Sequence, residues 1–205
     1  MMHACATPST VRRRAPGGFT LVESLVATTI AAVAGSALLW GISSAMQNTN
    51  WSLEQTIGLG LAQQLMDEIA AKTYCATKNS PYDYPFAVTA MELIGPGRSK
   101  YTDIGAYNGL RSEPATDPWG KTLGTGDGQG GFRNLAAQPP GGYFSRWRQE
   151  VDVYYVSNAD QSQKLPGTQT SDFRCVEVRI LYHDPALGLR PITTLKRVFA
   201  YVSAP

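Results

Sequence analysis

FTLVESLVATTIAAVAGSALLWGI, Phe19 to Ile42, governs how the rest of the chain is organised. These 24 residues carry one charge, at Glu23, and no further Asp, Glu, Lys or Arg occurs until Glu54. As a helix the run rises about 36 Å, enough to cross a hydrocarbon core about 30 Å thick. A secretory signal places its cleavage site after an apolar stretch of roughly 7 to 15 residues. This stretch is longer, and what precedes it is polar: Arg12, Arg13 and Arg14, with Pro8, Pro16, Gly17 and Gly18 set against helix. The positive-inside rule holds that leader in the cytoplasm and sends the residues after 50 across the membrane. Cys5 has no apolar segment before it and is no lipid acceptor.

The chain of 205 residues is 43% hydrophobic and 17% charged, which fits a globular domain with an appendage rather than a disordered polymer. Its formal charge of +2 comes from the leader. Without Arg12, Arg13 and Arg14, 15 of the 18 basic residues face 16 acidic ones. That balance offers nothing to hold a phosphate backbone, so nucleic acid is not an expected partner. Glu23 needs an explanation, because an unpaired carboxylate inside an apolar run costs several kcal/mol. A cut between Gly18 and Phe19 would create an α-amino group able to meet it, in the same helix or an adjacent one.

Gly18-Phe19-Thr20-Leu21-Val22-Glu23 after a short basic leader resembles the class III signal of type IV pilins and type II secretion pseudopilins. The resemblance implies that a prepilin peptidase cuts after Gly18 and N-methylates Phe19, and that Glu23 aligns subunits during filament growth. Pseudopilin tip subunits typically lack that carboxylate, so Glu23 argues against a tip position. The resemblance is close over roughly the first 55 residues and architectural beyond them.

No proline occurs between Gly18 and Pro81, and Leu53, Ile57, Leu61, Leu65 and Ile69 recur at spacing four. One helix to about residue 72 is predicted, apolar at first and then amphipathic. Gly35 and Gly41 interrupt it either as a point that unwinds on assembly or as a seat for close helix packing; both readings stand. The organisation expected is a leader over 1–18, a membrane and filament-core helix over 19–50, a stem helix over 51–75, an irregular connector over 76–142 and a sheet head over 143–205.

Within the connector, Tyr101 to Gly109 resembles an acidic segment of minor pilin-like proteins, with acidic residues missing at Thr102 and Gly105 among other positions. Asp117-Pro118-Trp119-Gly120 resembles the DPWG turn of major pseudopilins, beside which calcium can bind. Calcium takes six to eight oxygens, and only Asp103, Asp117 and Asp127 can be gathered here, so a Pro-Gly turn anchored by a buried Trp119 is the expected role and no cofactor is assigned. Gly124 to Gly131 lacks the GK[ST] ending of a phosphate loop.

Tyr143, Trp147, Val151, Val153 and Tyr155 share one parity; Val176, Val178, Ile180 and Tyr182 share another, and Leu195, Phe199 and Tyr201 mark a third strand. The short, turn-rich connections between them predict an antiparallel meander. The fold class expected is therefore α+β, a long N-terminal helix packed on a C-terminal antiparallel sheet, which is also the type IV pilin architecture. Cys75 and Cys175 form an even pair once Cys5 leaves with the leader, and an oxidising compartment would favour a disulfide between them. Such a bond closes a loop of about 100 residues, which the chain-entropy treatment values at about 4.7 kcal/mol. Two unrelated buried thiols are the alternative.

These features predict a non-enzymatic minor pilin or pseudopilin in the cytoplasmic (inner) membrane, with its N-terminus in the cytoplasm and its head exported. Its implied partners are the prepilin peptidase, the inner-membrane assembly platform with its cytoplasmic ATPase, and other pilin-like subunits. A membrane-tethered binding module that forms no filament is the first rival. A tethered hydrolase is the second, and it lacks a nucleophile–base set, since the exported part holds one histidine, His183.

Overall fold

The computed structural model describes residues 18, 20–76, 80–84, 86, 89–92 and 94–202. Helix α1 spans Leu21–Ala70, and four strands follow: β1 (Leu110–Ser112), β2 (Trp147–Tyr155), β3 (Phe173–Asp184) and β4 (Gly188–Ala200). The strands form one antiparallel sheet in the order β1-β2-β3-β4. The architecture is α+β, as the periodicity predicts. The chain divides into two compact units, Met1–Thr49 and Asn50–Pro205.

In the second unit the last five turns of α1 lie on the inner face of the sheet. Leu61, Leu65 and Ile69 are buried as the four-residue spacing requires, and Gly58, Ala62 and Met66 widen the stripe on the adjoining row. Leu53, at the N-terminal end of the same row, is exposed. Strand β2 alternates without a break, with Trp147, Gln149, Val151, Val153 and Tyr155 inward. Val176, Val178 and Ile180 of β3 complete the core with Ile104, Tyr107, Ala115 and Leu123 from the connector.

The structure departs from the sequence reading in three places. The sheet has a fourth strand, because Leu110, Arg111 and Ser112 pair with Val151, Glu150 and Gln149 from within the stretch expected to be irregular. Tyr143 lies in a 3-10 turn over Tyr143–Arg146, so β2 begins at Trp147. Strand β4 begins at Gly188, well before Leu195, after a tight connection that leaves only residues 185–187 unpaired. A bulge opposite Ile180 and Leu181 inserts Ile192 into β4, so that Ile192 is buried out of phase with Leu195 and Phe199.

Gly58 is where helix and sheet come closest. A Cβ added there would lie 2.5 Å from Cγ2 of Ile192 and 3.6 Å from a ring carbon of Trp147. Gly58→Ala gains up to about 1 kcal/mol of helix propensity but overpacks a site where such crowding costs about 1 to 3 kcal/mol. Net destabilisation is expected for Gly58→Ala in the wild-type background. In an Ile192→Ala background the same substitution is expected to stabilise, and a thermal double-mutant cycle reads the change of sign.

Candidate functional site

The sequence motif lies at the first turn of α1. Gly18 and Thr20 are exposed, whereas Phe19, Cys5 and Arg12 to Arg14 lie outside the described residues. Thr20 caps the helix: the Glu23 carboxylate accepts from the Thr20 N–H at 3.1 Å and from its hydroxyl at 3.1 Å, and the Glu23 N–H donates to Thr20 Oγ1 at 3.3 Å. This is a capping box, in which a Thr and a Glu three residues later satisfy each other's end of the helix. The pattern Thr-x-x-Glu was readable from sequence and supplies Glu23 with local partners of its own.

From Leu21 to Ile42 the large apolar side chains are exposed, among them Leu25, Ile30, Val33, Leu38, Leu39, Trp40 and Ile42. Each hydroxyl along that stretch donates to a carbonyl three or four residues back: Ser24 to Leu21, Thr28 to Ser24 and Leu25, Thr29 to Val26, Ser36 to Val33. The four hydroxyls of this stretch are thus satisfied within the helix, as a segment in hydrocarbon requires. Helix α1 is thus long and apolar enough to be a single membrane span. It runs through Gly35 and Gly41 unbroken, and an added Cβ meets nothing among the described residues at either position.

The three carboxylates considered for calcium are each used in a turn. Asp103 accepts from Ala106 N at 2.9 Å and Ala76 N at 3.0 Å, Asp117 from Trp119 N and Lys121 N, and Asp127 from Gln129 N and Gly131 N. No group of three His, Cys, Asp or Glu side chains among the described residues is placed to hold a metal ion. The Asp117–Gly120 turn is closed by Gly120 N donating to Asp117 O, with Gly120 at φ +80°, and the Arg98 N–H donates to Pro118 O at 2.8 Å. Trp119 is half-buried rather than buried, and Gly130 covers its indole. Within Tyr101 to Gly109 a 3-10 turn over Ile104–Tyr107 is capped by Asp103, and Asn108 accepts from Val153 N just before β1.

Cys75 and Cys175 are free thiols, so the expected disulfide is corrected. The physical reason is strand alternation. With Val176 and Val178 facing α1, Cys175 falls on the outer face, beside the Tyr154 hydroxyl. Cys75 belongs with Tyr74 and Tyr155, and Tyr155 follows Tyr154 on the opposite side of β2. Arg174 draws that corner together through Tyr74 O at 2.6 Å, Pro81 O at 2.7 Å and the Tyr155 hydroxyl at 3.0 Å. His183 sits exposed at the end of β3, its Nδ1 3.6 Å from Glu113.

The outer face of the sheet is a charge ladder. Arg179 pairs with Glu150, Asp152 and Glu177; Arg111 pairs with Glu150 and Asp152; Lys196 pairs with Glu177. Burial opposes ionisation of Asp152 and Glu177, but the surrounding cations outweigh it and hold both carboxyls below their ordinary range. Glu92, buried in the connector, is likewise opposed by burial and held low by the N–H and hydroxyl groups of Thr89 and Thr102. A carboxyl whose folded value is depressed stabilises above its unfolded value and loses that contribution as pH falls. The melting temperature of the head is therefore expected to hold steady above about pH 5 and to drop below about pH 4, the ordinary carboxylate range. Arg179→Gln is expected to flatten that acid limb, read by thermal melts across pH.

A groove of about 520 Å³ is lined by Asn50, Glu54, Tyr143, Arg146 and Tyr182, with Trp147 among its walls. Glu54 is ion-paired to Arg190, whose guanidinium lies over Trp51 at 5.3 Å and Tyr182 at 5.5 Å. No family model, curated protein or solved structure matches the chain.

Proposed function

We propose that this chain is a non-enzymatic pilin-like subunit, a minor pilin or minor pseudopilin, cut between Gly18 and Phe19, methylated at Phe19 and incorporated into a filament. The observation that carries the reading is the coincidence of three boundaries. The Gly18-Phe19 junction, the Thr20 cap and the start of the exposed apolar helix fall within four residues. Cleavage there would leave a positive amine one residue from the cap that already holds Glu23. The α+β head, with the stem helix laid on an antiparallel sheet, is compatible with the same reading. The subunit is held in the cytoplasmic membrane with its head exported until assembly. Its partners are the prepilin peptidase, the assembly platform and other pilin-like subunits.

Intact-mass and N-terminal analysis of protein made in its own cells, with and without prepilin peptidase, tests this. N-methyl-Phe19 only in peptidase-competent cells is the expected result; an uncut leader in those cells removes the pilin reading in favour of a tethered binding module.

The capping box separates two roles of Glu23. Glu23→Gln keeps a side chain able to bond the Thr20 end of the helix but removes the charge, whereas Glu23→Ala removes both. Both variants are expected to insert and be cleaved normally, since losing a charge eases insertion. Both are expected to fail to co-purify with other pilin-like subunits. Assembly by the Gln variant alone would make Glu23 a helix cap and nothing more.

A further inference from the structure

We propose that the free edge of β4, from Thr193 to Ala200, takes up an extended acidic segment of a partner protein as a fifth strand of the sheet. The inference lies wholly within the second unit and uses neither the membrane span nor the Gly18-Phe19 junction. In the order β1-β2-β3-β4 both outer strands have one unpaired side, but β1 has three residues and β4 thirteen. Among the described residues, the main chain of Thr193 to Ala200 bonds to β3 alone. A row of unmatched N–H and C=O groups is a template for another strand. The first part of β4 is guarded, since Pro191 lacks an N–H and the bulge opposite Ile180 and Leu181 breaks the ladder. From Thr193 to Ala200 there is no proline, glycine or bulge.

Beside that edge, Gln63, Met66 and Asp67 of α1 and Leu195, Lys196 and Arg197 of β4 line a groove of about 190 Å³. Ligand pockets run to about 300 to 1,000 Å³, so this one suits a single side chain. Met66 is buried and Leu195 half-buried, which gives it an apolar floor. A strand laid on β4 turns alternate side chains towards the helix, and the one opposite Leu195 enters the groove. Main-chain bonds for affinity and a side-chain pocket for specificity are the two parts of recognition by strand addition. Charge selects the occupant. Thr193 to Ala200 carries Lys196 and Arg197 and no acid, and these two side chains are 58% and 53% exposed. Lys196 shares Glu177 with Arg179, and Arg197 reaches only Asp67, 3.9 Å away and itself largely exposed. So open a pair contributes little. A second copy in parallel register would set Lys196 and Arg197 against themselves, which cross-strand repulsion disfavours. Two successive acidic residues on a partner strand, one on each face, match both cations.

The test uses the full chain in detergent and the synthetic peptide acetyl-VTEELTV-amide. Running antiparallel to β4, it sets its leucine at the groove and its glutamates opposite Lys196 and Arg197. Two N-methylated forms each block alternate N–H groups, one form for each edge of the peptide. Calorimetric titration and hydrogen exchange of the β4 amides are the readouts. The expected result is binding that slows exchange at every second amide from Thr193 to Ala200. One N-methylated form is expected to lose that binding and the other to keep it, because an added strand pairs through one edge. The charge-reversed acetyl-VTKKLTV-amide is expected to bind about tenfold more weakly, the effect of two cross-strand charge pairs. In Lys196→Gln/Arg197→Gln that preference is expected to fall below about twofold. No binding of the acidic peptide at millimolar concentration overturns the proposal, as does equal behaviour of the two N-methylated forms or equal affinity for the acidic and basic peptides. Slowed exchange of the same amides without peptide, growing with protein concentration, gives the edge to a second copy and overturns it as well. Each of these outcomes leaves the pilin reading where it stands, because the edge enters no part of that argument.

Discussion

Glu68→Ala is expected to lower the melting temperature of the full chain in detergent by roughly 6 to 20 °C, the consequence of about 3 to 5 kcal/mol lost when one partner of a buried ion pair is removed. Arg98 is 3% exposed, and its Nε and Nη2 meet the two Glu68 oxygens at 2.8 and 2.9 Å. The Tyr107 hydroxyl donates to the same carboxylate at 2.9 Å, and Arg98 also donates to the carbonyls of Thr116 and Asp117. This one carboxylate, on the sheet-facing side of α1, fastens two separate stretches of the connector to the helix. Burial and the Glu68 charge together push the Tyr107 phenol up, so it stays a donor at all physiological pH. Removing Glu68 leaves a guanidinium in the interior with neutral acceptors alone, two carbonyls and the Thr116 hydroxyl. The combination Glu68→Leu, Arg98→Met and Tyr107→Phe removes donors and acceptors together and is expected to recover most of the loss, since apolar replacements of a buried ion pair are often neutral. Tryptophan emission, to which Trp147 contributes from a ring 1% exposed in the core, follows the transition. An unchanged melt in Glu68→Ala would show that the connector is held by its apolar contacts alone.

That clamp also marks the limit of what the sequence alone discloses. The apolar run, the stripe from Ile57 to Ile69 and the alternation of β2 and β3 are local periodicities, and all of them appear in the structure. Glu68 and Arg98 are 30 residues apart, and no local pattern pairs them. Strand β1 is three residues among glycines and prolines, and only its partner Val151 makes Leu110 a strand residue. The bulge at Ile192 shifts parity within β4, so an alternation read back from Phe199 and Leu195 places Ile192 on the wrong face. Two further features are legible in local sequence. Thr20-Leu21-Val22-Glu23 is a capping-box sequence, and Val176 and Val178 facing inward require Cys175 to face outward, away from the helix end that carries Cys75.

Gly18→Leu is expected to leave membrane insertion unchanged and to slow removal of the leader by about a hundredfold, the order of loss when a reacting bond is displaced by about an ångström. The structure separates this effect from any on folding. Gly18 is exposed, precedes the helix and has nothing within 4 Å of an added Cβ among the described residues, so nothing among them requires a glycine there. A protease does, because cutting after Gly18 requires its catalytic groups to approach the backbone of that residue, and a side chain stands in the way. Under the proposed reading, orientation follows from Arg12 to Arg14 and the apolar run, which the substitution does not touch. Gly18→Ala, adding one methyl to open space, is expected to slow cleavage far less than Gly18→Leu. Pulse-chase gels from peptidase-competent cells, with intact masses of both forms, read the ratio. Wild-type rates of cleavage in Gly18→Leu, or a mature terminus elsewhere in the wild type, would show that the junction is not recognised through its glycine, and the coincidence of motif, cap and helix start would lose its functional meaning.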